Sequence, residues 1–91
     1  MTKTASQIDF EARAELRKWP SRARERVTTS LYAGPYLILD GTLDRCIQEF
    51  MAKPASQYHL YEIHTSQQGI LVSAVLSAEQ IVEIARLRNF L

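Results

Sequence analysis

The sequence is short of most features that announce a chemistry. Its one cysteine, Cys46, excludes an internal disulfide and any cysteine-rich zinc site. Its three glycines are scattered, and the single one at Gly41 makes no phosphate-cradling loop. Proline is equally scarce, and no low-complexity tract, flexible linker or internal repeat divides the chain. The longest apolar run, Tyr36–Leu39, has four residues, far below the ~20 needed to cross a bilayer. Met1–Gln7 is polar and no apolar stretch follows it, so no signal peptide is recognised and a reduced, cytoplasmic protein is expected. A net charge of +1 gives the molecule no overall pull toward nucleic acid or anionic membrane.

What remains is an ordinary globular composition, 46% hydrophobic and 23% charged, in 91 residues. That length makes one domain with a thin core, a size at which chains often add stability by oligomerising. The charge is uneven. Residues 1–30 hold seven Lys or Arg against four Asp or Glu, and residues 31–91 hold four against six.

The chain is organised around Tyr36–Met51, an apolar run followed by a turn and an amphipathic helix. Leu43, Cys46, Ile47, Phe50 and Met51 recur at helical spacing, Thr42 suits the N-cap, and Pro54 ends the helix. Before it, residues 1–7 read as a frayed tail and 8–26 as a helix with a basic connector. Ile8, Ala12, Leu16 and Trp19 share one helical face, and Pro20 stops it. Val27–Tyr32 is strand-like or an ordered loop, and a turn at Ala33–Pro35 leads into a strand at Tyr36–Leu39 that Asp40-Gly41 breaks. Gln57–Thr65 and Ile70–Leu76 read as a hairpin of strands, with large apolar groups on both faces of the first. Ser77 and Gln80 form a capping box that opens a helix to about Phe90.

Residues 27–91 are therefore expected as a single α+β domain: a three- or four-stranded mixed sheet with two helices on one face. The ferredoxin-like split β-α-β arrangement fits this order, permuted if Val27–Tyr32 supplies the fourth strand. An N-terminal helix would complete it.

Leu39-Asp40-Gly41-Thr42-Leu43 resembles the second half of the Asp-x-Asp-Gly-Thr motif of haloacid-dehalogenase-type phosphatases. The nucleophilic aspartate of that motif is replaced here by Ile38, which cannot attack phosphorus, and the chain is too short for that fold. A strand-ending turn and a helix cap account for all three polar residues. His59 and His64, five apart on a strand, would face opposite sides of the sheet and share no metal; Glu62 lies on the His64 side. Cys46 belongs to the buried stripe and is expected to act as a small hydrophobe. No metal or cofactor motif is present.

Three function classes follow. The first is a protein-interaction or self-associating module, a homodimer included. Its candidate residues are Ile84, Leu87, Phe90 and Leu91, a second apolar cluster on the last helix that one sheet contact would not cover. The second is a weak nucleic-acid-associated protein using Arg13, Arg17, Lys18, Trp19, Arg22, Arg24 and Arg26. Glu11, Glu15 and Glu25 lower the field of that segment, and Trp19 also fits a packing role. The third is a small enzyme or ligand-binding domain at the Asp40–Thr42 turn, which would need Asp40, Glu62 and His64 to converge.

Overall fold

A computed structural model of the chain describes residues 8–28 and 34–89. In chain order the elements are β1 (Arg13–Lys18), β2 (Ser21–Arg22), β3 (Glu25–Arg26), β4 (Tyr36–Thr42), α1 (Leu43–Met51), a 3₁₀ helix over Ala55–Leu60, β5 (Tyr61–Thr65), β6 (Val75–Leu76) and α2 (Ala78–Arg88). Four strands make one sheet in the order β4-β1-β5-β6, and β2 and β3 pair as a separate hairpin. The class is α+β.

The N-terminal helix expected over Ile8–Trp19 does not form. An irregular turn leads into β1, which pairs with β4 on one side and β5 on the other, so its backbone groups find partners along both edges. Its true period is two: Ala14 and Leu16 are buried, while Glu15 and Arg17 point the other way. The helix-favouring residues Ala, Glu, Leu, Arg and Lys of this strand are overridden by pairing on both sides.

Central placement of β1 also changes the topology. β4 and β5 are each antiparallel to β1, so they run parallel to one another with β1 between them. Every neighbouring pair in the sheet is antiparallel, so the sheet is not mixed in the expected sense. A permuted ferredoxin-like order would set the first strand outside β4 and place β6 inside β5, and neither arrangement is found. Among the described residues the fourth strand is β1. Val27 and Thr28 are outside any strand, and residues 29–33 lie outside the described residues, as do 1–7.

Both helices cover the face that carries Ala14, Leu16, Tyr61, Ile63 and Leu76, joining Leu43, Cys46, Ile47, Phe50, Ile81 and Ile84 in one core. The amphipathic reading of α1 holds for four of its five stripe residues, whereas Met51, at the end of the helix, is exposed. Thr42 Oγ1 accepts from the Arg45 N–H at 3.1 Å, and Leu43, Cys46, Ile47 and Phe50 are buried. Phe50 stacks on Tyr58 at 4.4 Å and meets Tyr61 edge-on at 6.2 Å. The capping box of α2 is complete, and that helix runs to Arg88. Arg88, in the last turn of α2, bonds Asp44 in the first turn of α1 and ties the helices side by side.

Three further elements differ from the sequence reading. β4 continues through Asp40-Gly41 to Thr42, because β1 pairs with it that far. Ala55–Leu60 forms a 3₁₀ helix, which leaves only Tyr61–Thr65 as strand. Of Ile70–Leu76 only Val75–Leu76 is strand; Ile70 projects from the loop, 96% exposed, while Val72 turns inward.

Candidate protein-interaction edge

The face of the sheet away from the helices carries rows of charged side chains. Asp40, Glu15, His64 and Val75 lie across from one another on four successive strands, and Leu37, Arg17 and Glu62 form the next row. Arg13 bonds Asp40 at 3.0 Å, which pushes the Arg13 pKa up through that hydrogen bond and the carboxylate charge. Arg17 is held by Glu15 at 2.7 Å and donates to the Pro35 carbonyl at 3.2 Å.

Glu62 is the one buried charged residue among the described residues, 9% exposed. Its two oxygens take different donors: the Trp19 indole N–H at 2.7 Å and His64 Nε2 at 2.5 Å. Glu62 and His64 therefore meet as their two-residue spacing requires. Asp40 lies on the same face but across the intervening Glu15, with Arg13 as its partner, so the three groups named for an enzyme do not converge. Thr42 Oγ1 is engaged at the helix cap.

His59 is on the 3₁₀ helix, not on the strand with His64. Its Nε2–H donates to the Arg24 carbonyl at 2.5 Å, and Arg26 Nε donates to the His59 carbonyl at 2.6 Å, docking the β2–β3 hairpin. Burial pushes the Cys46 thiol up from 9.0 to about 11, so it stays protonated and unreactive near neutral pH. Among the described residues no group of three or more His, Cys, Asp or Glu is placed to hold a metal ion, and no helix is long and apolar enough to cross a membrane.

The basic segment does not form one patch. Arg13 and Arg17 sit in the charged rows, whereas Lys18 is on the helix side with its ammonium 5.6 Å from the Tyr61 ring. Trp19 is engaged by Glu62 and lies beneath the Arg26 guanidinium at 5.3 Å. Arg22 and Arg24 stand out on the β2–β3 hairpin, where Arg22 pairs across from Glu25.

The second cluster on α2 is also divided. Ile84 is buried in the chain's own core, Leu87 is partly buried, and Phe90 and Leu91 lie outside the described residues.

The longest run of exposed apolar side chains among the described residues is instead on β4, with Met51, Ile70 and Val75 exposed singly elsewhere. Tyr36, Leu37 and Ile38 are 47%, 50% and 38% exposed. Among the described residues they lie on an edge strand of seven residues, paired on one side by β1. A bulge opposite Arg17 makes Ile38 an extra residue in the register. Beside this edge, the outer flank of α1 presents Arg45, Gln48, Glu49 and Ala52, which with Leu39 line a shallow cleft of about 240 Å3. The sequence shows this run as apolar but not as an edge, because edge position follows from where β1 inserts. No protein family, curated protein or solved structure matches the chain.

Proposed function

We propose that this protein is a protein-interaction module whose binding element is the outer edge of β4. The observation that carries the reading is a seven-residue edge strand with three consecutive exposed apolar side chains. Such an edge offers a row of backbone N–H and C=O groups to an added strand, while side-chain contacts supply selectivity. Edges that avoid pairing carry Lys, Pro or an inward charge. Tyr36–Thr42 contains no Lys or Pro, and its one charge, Asp40, is already paired with Arg13. Among the described residues the bulge is its only blunting device, and it falls at an exposed apolar residue, Ile38. The opposite edge, β6, has two residues and runs at once into α2, so it offers little to an added strand.

The test is an NMR titration with a capped synthetic peptide of the sequence Tyr36–Thr42, used as a generic strand. Pairing at this edge shifts the amides of residues 36–42 and slows their hydrogen exchange, and Ile38→Lys removes both effects. Shifts confined to β6 or to α2, or none at millimolar peptide, would refute the reading.

A further inference from the structure

The geometry points to a second copy of this chain as the occupant of the β4 edge, an inference that rests on the interaction reading above. The two copies pair β4 with β4, antiparallel about a two-fold axis near Leu39, and build one continuous eight-stranded sheet. Two features of the edge favour a copy of itself over an unrelated strand.

The first is the strand. An occupant needs an extended segment with apolar side chains and no proline, and β4 meets that requirement for its own twin. With the axis at Leu39, residues 36–38 of each copy lie along 40–42 of the other, so all seven residues take part.

The second is charge. Leu39 shares the cleft above the edge with Arg45 and Glu49, which are four residues apart on the exposed flank of α1. An antiparallel two-fold through that point sets Arg45 of each copy opposite Glu49 of the other. The pattern is self-complementary, as an isologous interface requires. Among the described residues Arg45 has no ion-pair partner, and Glu49 has only the partly buried Lys53, at 3.4 Å. One strand and one helix flank per copy sit near the low end of specific interfaces, about 1,200 Å2 in total. A dimer exchanging with monomer at micromolar concentrations is the expected behaviour.

Sedimentation equilibrium from micromolar to millimolar protein tests this. Arg45→Glu alone and Glu49→Arg alone each set like charges face to face twice per dimer, and each is expected to weaken association about tenfold. Mixed together, the two variants present complementary flanks and are expected to recover wild-type affinity as a heterodimer. Ile38→Lys abolishes association in every background. If the wild type is monomeric throughout while the β4 peptide still shifts residues 36–42, self-pairing is overturned and the edge reading stands. If a dimer forms but the mixed variants do not recover, or Ile38→Lys leaves it intact, this arrangement is wrong.

Discussion

Replacing Glu62 tests whether the second face of β5 is held by a specific bond pattern or only by burial. Glu62→Ala removes a carboxylate that accepts from Trp19 Nε1 at 2.7 Å and bonds His64 Nε2 at 2.5 Å. A hydrogen bond to a charged group contributes about 1.5–3 kcal/mol, but the His64 side chain is 35% exposed and can turn to water. The indole N–H has less freedom, because Arg26 lies over its ring at 5.3 Å. The expected loss is therefore about 2 kcal/mol, most of it from the Trp19 bond. In a domain of this size that lowers Tm by about 10 °C. Glu62→Gln keeps the Trp19 bond through its carbonyl, and its amide donates to His64 Nε2 once the ring proton sits on Nδ1. It should cost less than about 1 kcal/mol. Urea unfolding followed by far-UV circular dichroism is the assay, since the emission of Trp19 responds directly to the substitution. The reasoning fails if Glu62→Ala falls within about 0.5 kcal/mol of the wild type. It fails equally if Glu62→Gln costs as much as Glu62→Ala, for then the bond pattern is immaterial.

Further outcomes follow from single positions. Ala23 and Arg24, at φ 51° and 70°, form the tip of the β2–β3 hairpin in a left-handed conformation that favours glycine. Arg24→Gly should stabilise the chain by about 0.5–1 kcal/mol in the same urea assay, and a destabilised variant would contradict the turn geometry. Thr42→Ala deletes the α1 cap and should cost about 1 kcal/mol, with Thr42→Ser close to neutral. Cys46 should resist a thiol reagent at pH 8 until the chain unfolds. Because burial raises its pKa in the folded state, the unfolded chain ionises first. The stability tied to the protonated thiol is complete below about pH 9 and is lost as pH rises toward about 11. Cys46→Ala should flatten that decline, and an unchanged profile would show that other groups cause it.

The helices were legible because their signals are local. The stripe of α1, the Thr42 cap and the Ser77–Gln80 box depend on residues within a few positions of each other, and tertiary packing only reinforces them. The Glu62–His64 contact was legible for the same reason, since residues two apart on a strand share a face. β1 was not. Ala14 and Leu16 are its only buried apolar residues, too few to show a period of two against the helical spacing of Ile8, Ala12, Leu16 and Trp19. What makes it a strand is the arrival of β4 and β5 on either side, from 18 and 43 residues further along the chain at Lys18. Ile70–Leu76 failed differently. Its apolar content is real, but Val72 turns inward while Ile70 points away, and only Val75 and Leu76 reach the ladder.

One event, the insertion of β1, decides both the fold and the candidate site. It takes the central place between β4 and β5, and so pushes the most apolar run of the chain to the sheet edge. Pattern and position then disagree, which in natural sequences marks functional or strained sites. The size of the disagreement can be bounded. Tyr36, Leu37 and Ile38 are 47%, 50% and 38% exposed, so each forgoes about 1 kcal/mol of burial, or about 6 kcal/mol over two copies. Association costs about 4–15 kcal/mol in lost freedom before any contact is counted. Apolar burial at this edge therefore falls near the low end of that cost, and the backbone ladder with the Arg45–Glu49 pairs must supply the surplus. The monomer is thus the dilute form, and pairing emerges as concentration rises. The same balance makes affinity sensitive to a single flank charge, which is why complementary charge variants discriminate this arrangement from nonspecific sticking.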